Sequence, residues 1–344
     1  MSRTSLSRPL GRSAPTASRR RCPACSDRLE STPRGWSCTK CQKDFPDVAG
    51  LADLRLGSDR YLSLTDERAK AERLAAIAER TDLKGLAEAY YAITSDVDPA
   101  RCRSFLAHIL KGEARGEILA ESLPESGEML EIGCGTGGLL AAARRKGLHV
   151  SGVDIAARWL VVARRRLDDL RMDQSVELTA GSAECLPWPD GAFDIVAADS
   201  LIEHLDNPAR ALGECFRVLR PGGSLRLWSP NRFSVLPDPH VRLWGVSWLP
   251  RNWGRAYVRL RRGGSWLPMT RSAWEIERLA RASGFQNIQV KAFFPGDRWA
   301  STLPVSLRTL ARVGRRLAAV PGLSTLSKAF GPLWVLSATK RGER

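Results

Sequence analysis

Residues 131–140 read EIGCGTGGLL. An apolar run, EML at 128–130, precedes them, and GGLLAAARR at 137–145 follows, so the stretch is a strand, a glycine turn and the start of a helix. Gly133, Gly135 and Gly138 satisfy G-x-G-x-x-G, whereas Gly133, Gly135 and Gly137 satisfy G-x-G-x-G. Glycine spacing alone therefore admits two loops, one for a dinucleotide pyrophosphate and one for S-adenosylmethionine (SAM). Glu131 weighs between them. A carboxylate at the strand end repels a pyrophosphate but attracts the ammonium of a methionine moiety, so the loop is expected to face positive charge.

Asp154 ends the next apolar stretch, HVSGVDI, 23 residues after Glu131. There its carboxylate is placed to accept hydrogen bonds from both hydroxyls of a ribose, a spacing that also fits a dehydrogenase. Strand and helix patterns then alternate through ARWLVVARRRLDDL, SVELTAG, FDIVAADS, a helix over about 208–219, and SLRLWSP. GPLWVLSATKRG reads as the last strand. Such alternation predicts an α/β domain with a mostly parallel sheet covered by helices on both faces, binding its ligand at the carboxyl ends of the strands.

Residues 180–231, AGSAECLPWPDGAFDIVAADSLIEHLDNPARALGECFRVLRPGGSLRLWSPN, decide between the two loops. With EIGCGTGG they resemble the class I SAM-dependent methyltransferases, particularly the type 11 group acting on small molecules, over about residues 128–231. The resemblance implies a Rossmann-like fold and SAM as cofactor. It implies that Glu131, Gly133 and Gly135 hold the methionine end, with Cys134 and Gly137 in the same loop. Asp154 with Ile155 would hold the ribose, Ser182 with Ala183 the adenine, and Asp199 with Ser200 would line the loop beneath the sulfonium. Ser182 departs from the family, which usually has Asp there; a serine hydroxyl is a weaker acceptor for the adenine amino group.

Methyl transfer from a sulfonium is an in-line displacement, so aligning donor and acceptor supplies most of the catalysis, and a base is needed only for a protonated acceptor. His204, in LIEHL after the fourth strand, has the right pKa range to be that base, with Glu203 orienting it or the substrate. His240, in PDPHVRLWG, is a second candidate. The other reading of the Glu203–His204 pair is a brace for the loop. A SAM-binding scaffold without catalysis is the alternative from a different class.

Cys22, Cys25, Cys38 and Cys41 read C-x2-C-x12-C-x2-C, two knuckles flanking a short hairpin with its turn near Pro33 and Gly35. Four thiolates in that spacing suit tetrahedral zinc, and a segment this short needs the metal to fold. The module, about residues 21–56, resembles the zinc-ribbon leader of some bacterial methyltransferases. Residues 57–124 are expected to be a helical lead-in of two stretches, DERAKAERLAAIAER and ARCRSFLAHILKGEARGEILAESL, separated by Asp98 and Pro99, with His108 packed on an apolar face. Residues 125–344 would be the methyltransferase domain, and residues 1–20 a disordered basic tail. Cys102, Cys185 and Cys215 follow no pairing pattern and read as core.

The chain has 344 residues, 43% of them hydrophobic, and a formal net charge of +16. No apolar run approaches the ~20 residues of a membrane span, so no transmembrane helix is expected. The cysteine pattern is not a secreted disulfide framework, so a reducing cytoplasm is expected. The positive charge favours an anionic partner. Insertions at about 232–271 and 296–330 concentrate it: the first holds Arg242, Arg251, Arg255, Arg259, Arg261 and Arg262 with Trp244, Trp248, Trp253 and Trp266, and the second holds the basic amphipathic VSLRTLARVGRRLAAV. Three acceptors fit: a small soluble molecule or glycan under an ordinary lid, a lipid-linked molecule met at the inner face of an anionic membrane, and RNA.

Overall fold

The structure is a computed structural model, and it describes residues 20–58, 60–94, 99–172, 176–264, 268–294, 305–318, 320 and 322–342. The basic tail expected at 1–20 lies outside the described residues except for Arg20, as do Asp98 and Trp266. The chain divides into two compact units, Met1–Asp194 and Ile195–Arg344.

In the first unit an antiparallel meander, β1 (Glu30–Thr32), β2 (Gly35–Ser37), β3 (Asp44–Val48) and β4 (Leu51–Asp53), precedes four helices. These are α1 (Leu64–Ala78), α2 (Leu83–Ala92), α3 (Pro99–Leu110) and α4 (Gly112–Ala120). The Rossmann-like alternation follows: β5 (Glu128–Ile132), α5 (Gly138–Arg145), β6 (His149–Asp154), α6 (Ala157–Asp169) and β7 (Val176–Ala180). The strand order is β1-β2-β3-β4-β7-β6-β5, with β5, β6 and β7 mutually parallel. β4 continues that sheet by lying parallel to β7, Ala52 opposite Thr179 and Asp53 opposite Ala180.

The lead-in differs from its expectation in two respects. Four helices replace two stretches: Asp82 caps an additional helix, its side chain accepting from Gly85 N, and the second stretch divides at Lys111 into α3 and α4. His108 is exposed rather than packed; the buried residue of that turn is its neighbour Ile109. α4 and α5 touch backbone to backbone: a Cβ on Gly116 would lie 2.3 Å from Gly138 O, and one on Gly138 would lie 2.4 Å from Gly112 O. Gly138 thus serves helix packing, not ligand contact.

Buried charges tie the elements together. Asp53 accepts from Arg55 at both oxygens, Nε at 2.6 Å and Nη2 at 2.8 Å, and from Arg68 Nε at 2.7 Å. Glu67 accepts from the backbone N–H of Arg158 at 2.9 Å and pairs with its guanidinium at the start of α6. Arg166, fully buried, donates to Thr136 O in the glycine loop at 2.7 Å.

The second unit contains β8 (Phe193–Asp199), α7 (Pro208–Val218), β9 (Leu219–Pro230), α8 (Arg251–Arg262), α9 (Ala273–Ala282), β10 (Gln286–Phe293), α10 (Val305–Ala318), α11 (Ser324–Phe330) and β11 (Leu333–Thr339), β8 beginning at the boundary. Its strand order is β8-β9-β11-β10, with β11 antiparallel to both β9 and β10. α7 starts on an Asn207 cap with Pro208 in the first turn, and α9 on a Ser272–Glu275 capping box. Lys340 closes α7 by donating to the carbonyls of Phe216 and Leu219 at 2.8 and 2.7 Å.

Burial pushes the Asp53 carboxyl up, but Arg55 and Arg68 outweigh it and hold the pKa below its ordinary value. Asp53→Asn leaves Arg55 buried without its counter-charge, a loss of about 3–5 kcal/mol. Urea denaturation at pH 7 should show it as a lower midpoint. The lowered pKa adds stability above the unfolded value of about 4, lost as pH falls through the folded value, so the gap between the proteins should narrow in acid. A difference below about 0.5 kcal/mol at pH 7 would contradict this account.

Candidate active site

The carboxyl ends of β5 and β6 assemble the first part of the site. Glu131 is buried at the end of β5. The chain then turns through Gly133, Gly135 and Gly137, all at positive φ (+68°, +49° and +74°), and enters α5. Gly133 N and Cys134 N both donate to Val153 O, at 2.7 and 3.1 Å, which seats the loop on β6. A Cβ on Gly135 would meet nothing within 4 Å, so the loop borders open space there.

Asp154 holds this arrangement. Its Oδ2 accepts from Gly135 N and its Oδ1 from Ala156 N, each at 2.8 Å. Burial raises the carboxyl pKa above its ordinary value, against the opposing pull of the two backbone N–H groups. Each oxygen retains capacity for a further donor, such as a ribose hydroxyl. Ile155 O accepts from Arg55 Nη1 at 3.0 Å. After β7, Gly181 N donates to Asp154 O at 2.9 Å, Ser182 Oγ accepts from Glu184 N at 3.1 Å, and Ala183 is buried. Burial pushes the Cys134 thiol well up, which leaves it neutral beside Glu131 and Asp154. The first unit thus brings together Glu131, Gly133, Cys134, Gly135, Gly137, Asp154 and Ile155.

In the second unit β8 ends at Asp199, and Ser200 sits at φ +55°, a left-handed conformation that a serine adopts at a cost. Ser200 Oγ donates to Asp199 Oδ1 at 3.1 Å, and Ser200 N donates to Trp228 O at 2.8 Å. A 3₁₀ turn over Ile202–His204 follows. Glu203 is 0% exposed; its Oε2 accepts from Ser229 Oγ at 2.9 Å, and its Oε1 lies 4.0 Å from His240 Nε2. Burial pushes the Glu203 carboxyl up to about 7, opposed by the charge of His240.

The imidazoles of His204 and His240 meet edge to face, centroids 5.1 Å apart. Asp238 Oδ1 lies 3.4 Å from His240 Nδ1, an ionic contact rather than a formed hydrogen bond. Asp238 is itself fixed by His240 N at 2.9 Å, Val241 N at 3.2 Å and Ser247 Oγ at 2.8 Å. The Glu203 carboxylate thus faces Ser229 and His240, while Met269 N donates to the Glu203 carbonyl at 2.7 Å. Sequence reasoning assigned no role to Asp238 or Ser229; the only signal was Asp238 two residues before His240 in PDPH.

The four cysteines converge. Cys22 Sγ lies 3.6 Å from Cys41 Sγ, Cys25 Sγ 3.5 Å from Cys38 Sγ, and all four sulfurs fall within 4.8 Å of one another. Sulfurs at ~2.3 Å from one tetrahedral zinc stand ~3.8 Å apart, so the donors fit that ion.

In the arginine and tryptophan segment the indoles differ. Trp248 is 38% exposed, packs near Phe233, Trp244 and Phe330, and donates Nε1 to Ser234 O at 3.0 Å. Trp253, by contrast, is 71% exposed and Leu260 84%. On α8 Gly254 and Val258 are buried, so Trp253, Ala256 and Leu260, at helical spacing, share the opposite, outward face, with Arg255 and Arg259 exposed beside it.

Residues 130–227 match the family model described as a methyltransferase domain. Among curated proteins, the chain is 38% identical over 112 residues to an uncharacterized 37.1 kDa protein in transposon TN4556 of Streptomyces fradiae, covering 32% of each. It is 33% identical over 151 residues to the ubiquinone/menaquinone biosynthesis C-methyltransferase of Roseobacter denitrificans, covering 42% of this chain and 58% of that one. The ubiquinone biosynthesis O-methyltransferase of Pseudomonas aeruginosa is 31% identical over 148 residues, covering 40% and 61%. The matched stretches thus span less than two thirds of these relatives. An S-adenosylmethionine-dependent methyltransferase structure from Mesorhizobium loti aligns with a TM-score of 0.46 at 21% identity, over 67% of this chain and 100% of that one. By its family match and its strand–glycine loop–helix geometry, the stretch 130–227 is a class I SAM-dependent methyltransferase domain.

Proposed function

We propose that the protein transfers a methyl group from SAM to oxygen or nitrogen of a small-molecule, glycan or lipid-linked acceptor. The observation that carries the reading is the buried carboxylate of Glu131 behind a glycine loop that is open at Gly135 and locked by Asp154. A pyrophosphate would meet repulsion at that loop; an ammonium and a ribose suit it. Glu131, Gly133 and Gly135 would hold the methionine end, Asp154 and Ile155 the ribose, and Ser182 with Ala183 the adenine. Bound SAM supplies the electrophilic methyl carbon.

The chain's own residues then align the acceptor, and His204, with Glu203 and His240 beside it, activates the reacting hydroxyl or amine. The two curated methyltransferases above are named for quinone biosynthesis, which is consistent with an apolar acceptor carrying an oxygen. The Trp253–Ala256–Leu260 face, flanked by arginines, supports delivery of that acceptor from an anionic membrane surface. Among the described residues no helix is long and apolar enough to cross a membrane, so contact through this face would be peripheral.

Calorimetry tests the cofactor site. Asp154→Ala removes a charged acceptor worth about 1.5–3 kcal/mol, so SAM affinity should fall about 10- to 150-fold. Unchanged affinity, or tighter binding of NAD than of SAM by the parent protein, would refute the assignment. SAM binding without methyl transfer to any extracted metabolite, lipid or RNA would favour the scaffold reading.

The cysteine cluster is proposed to hold one structural zinc. Metal analysis should find it in the purified protein, and replacing Cys38 and Cys41 by Ser should release it and expose residues 21–56 to protease. Retained zinc and unaltered cleavage would end the ribbon reading.

For the membrane surface, the protein should sediment with vesicles containing an anionic phospholipid and release as salt rises. Trp253→Ala with Leu260→Ala should weaken binding by about tenfold. Trp248→Ala is the wrong probe, since that indole is held by Ser234. Equal, negligible binding to anionic and neutral vesicles at low salt would remove this surface, and salt-sensitive binding of structured RNA instead would move the acceptor to RNA.

A further inference from the structure

We infer that Glu203, His204 and His240 form a divalent transition-metal site in the second unit, independent of the cysteine cluster. Each residue offers one ligand atom, and these atoms all lie within 4.8 Å of one another. Two imidazoles and one carboxylate are a donor set for zinc and its neighbours in the first transition row. Donors ~2.1 Å from a shared ion stand ~3.0 to 3.4 Å apart, and Glu203 Oε1 and His240 Nε2 are 4.0 Å apart, so small side-chain rotations close the site.

Two further observations point to a missing partner. Glu203 Oε1 is shut away from solvent and accepts no hydrogen bond, while Ser229 holds the other oxygen. A buried carboxylate oxygen in that state is costly, and a cation satisfies it. The second is Asp238. It lies 3.4 Å from His240 Nδ1, on the far side of the ring from Glu203, and is anchored by two backbone N–H groups and Ser247. A carboxylate behind the non-ligating nitrogen is how metal-binding imidazoles are oriented.

Three protein donors leave at least one position open to an exogenous oxygen. This extends the methyl-transfer reading by naming the acceptor atom. A hydroxyl held at that position would lose its proton to solvent water at lower pH, which is the chemistry the ion would supply. With the ion in place, His204 and His240 are ligands rather than bases.

The test needs no turnover. Full-length protein is stripped with chelator, dialysed against zinc or cobalt(II), and its metal counted. The parent should hold about two equivalents per chain, Glu203→Gln and His240→Asn about one each, and the Cys38→Ser, Cys41→Ser variant about one. Cobalt in the cysteine variant should show the visible bands of nitrogen and oxygen ligation without thiolate charge transfer. Circular dichroism identifies any variant that fails to fold, and the remaining one then decides. A parent that takes up only the cysteine-dependent equivalent under saturating zinc and cobalt would overturn the site. So would full occupancy in both folded variants. SAM affinity, measured separately, distinguishes this failure from failure of the methyltransferase reading.

Discussion

The cofactor half of the molecule depends on one carboxylate, Asp154, accepting from Gly135 N and Ala156 N. Without it the glycine loop and the turn after β6 would each lose the acceptor of a part-buried N–H and the link that fixes their separation. The surrounding contacts reinforce the same geometry. Arg166 holds the loop from outside through Thr136 O, Arg55 holds the turn through Ile155 O, and Gly181 N returns the end of β7 to Asp154 O. A residue that orders the loop in this way preorganises it to bind, because little of the ordering cost remains for the ligand.

Much of this half was legible because the pattern is local. Strand, glycines and acid lie within residues 128–154, and the sheet end places them together. What was not legible is non-local. Gly138 fits a binding signature, yet its missing Cβ serves Gly112 and Gly116 on α4. β10, QNIQVKAF, is an edge strand paired on one side, so in place of a continuous apolar run it carries only the short alternation Ile288, Val290, Ala292. α2 escaped notice because a glycine and two tyrosines dilute its helical pattern. His108 shows the limit of periodicity, which cannot tell on which side of Ile109 the core lies.

The ionic cluster around Asp53 bears on how the N-terminal module relates to the cofactor loop. β4 leaves the cysteine-bearing meander and pairs with β7, and Leu54 N donates to Ala180 O at 2.8 Å. Arg55, locked by Asp53, then reaches Ile155. A buried ion pair adds little net stability over apolar packing, but its fixed geometry selects one register of neighbouring strands. Residues 51–58 and 60–68 therefore belong energetically with the Rossmann-like sheet, although in sequence they read as the tail of the ribbon and the start of the lead-in. The cysteine-bearing meander joins that sheet through strand pairing.

Under the proposed reaction at His204, the charge distribution of the second unit would constrain the acceptor. α8 carries arginines and no acid, whereas Glu203, Asp238 and Asp199 gather acidic groups around His204 and His240. An anionic reacting group would be repelled by the second set while its remainder was attracted by the first. The two preferences agree only for a molecule whose reacting end is neutral or cationic, or is neutralised on binding, and whose negative charge lies elsewhere. A phenolic or alcoholic oxygen meets that condition before it loses its proton, and a bound cation would preserve it afterwards. Under that proposal the buried, half-satisfied carboxylate of Glu203 would limit the chemistry of the acceptor without touching it.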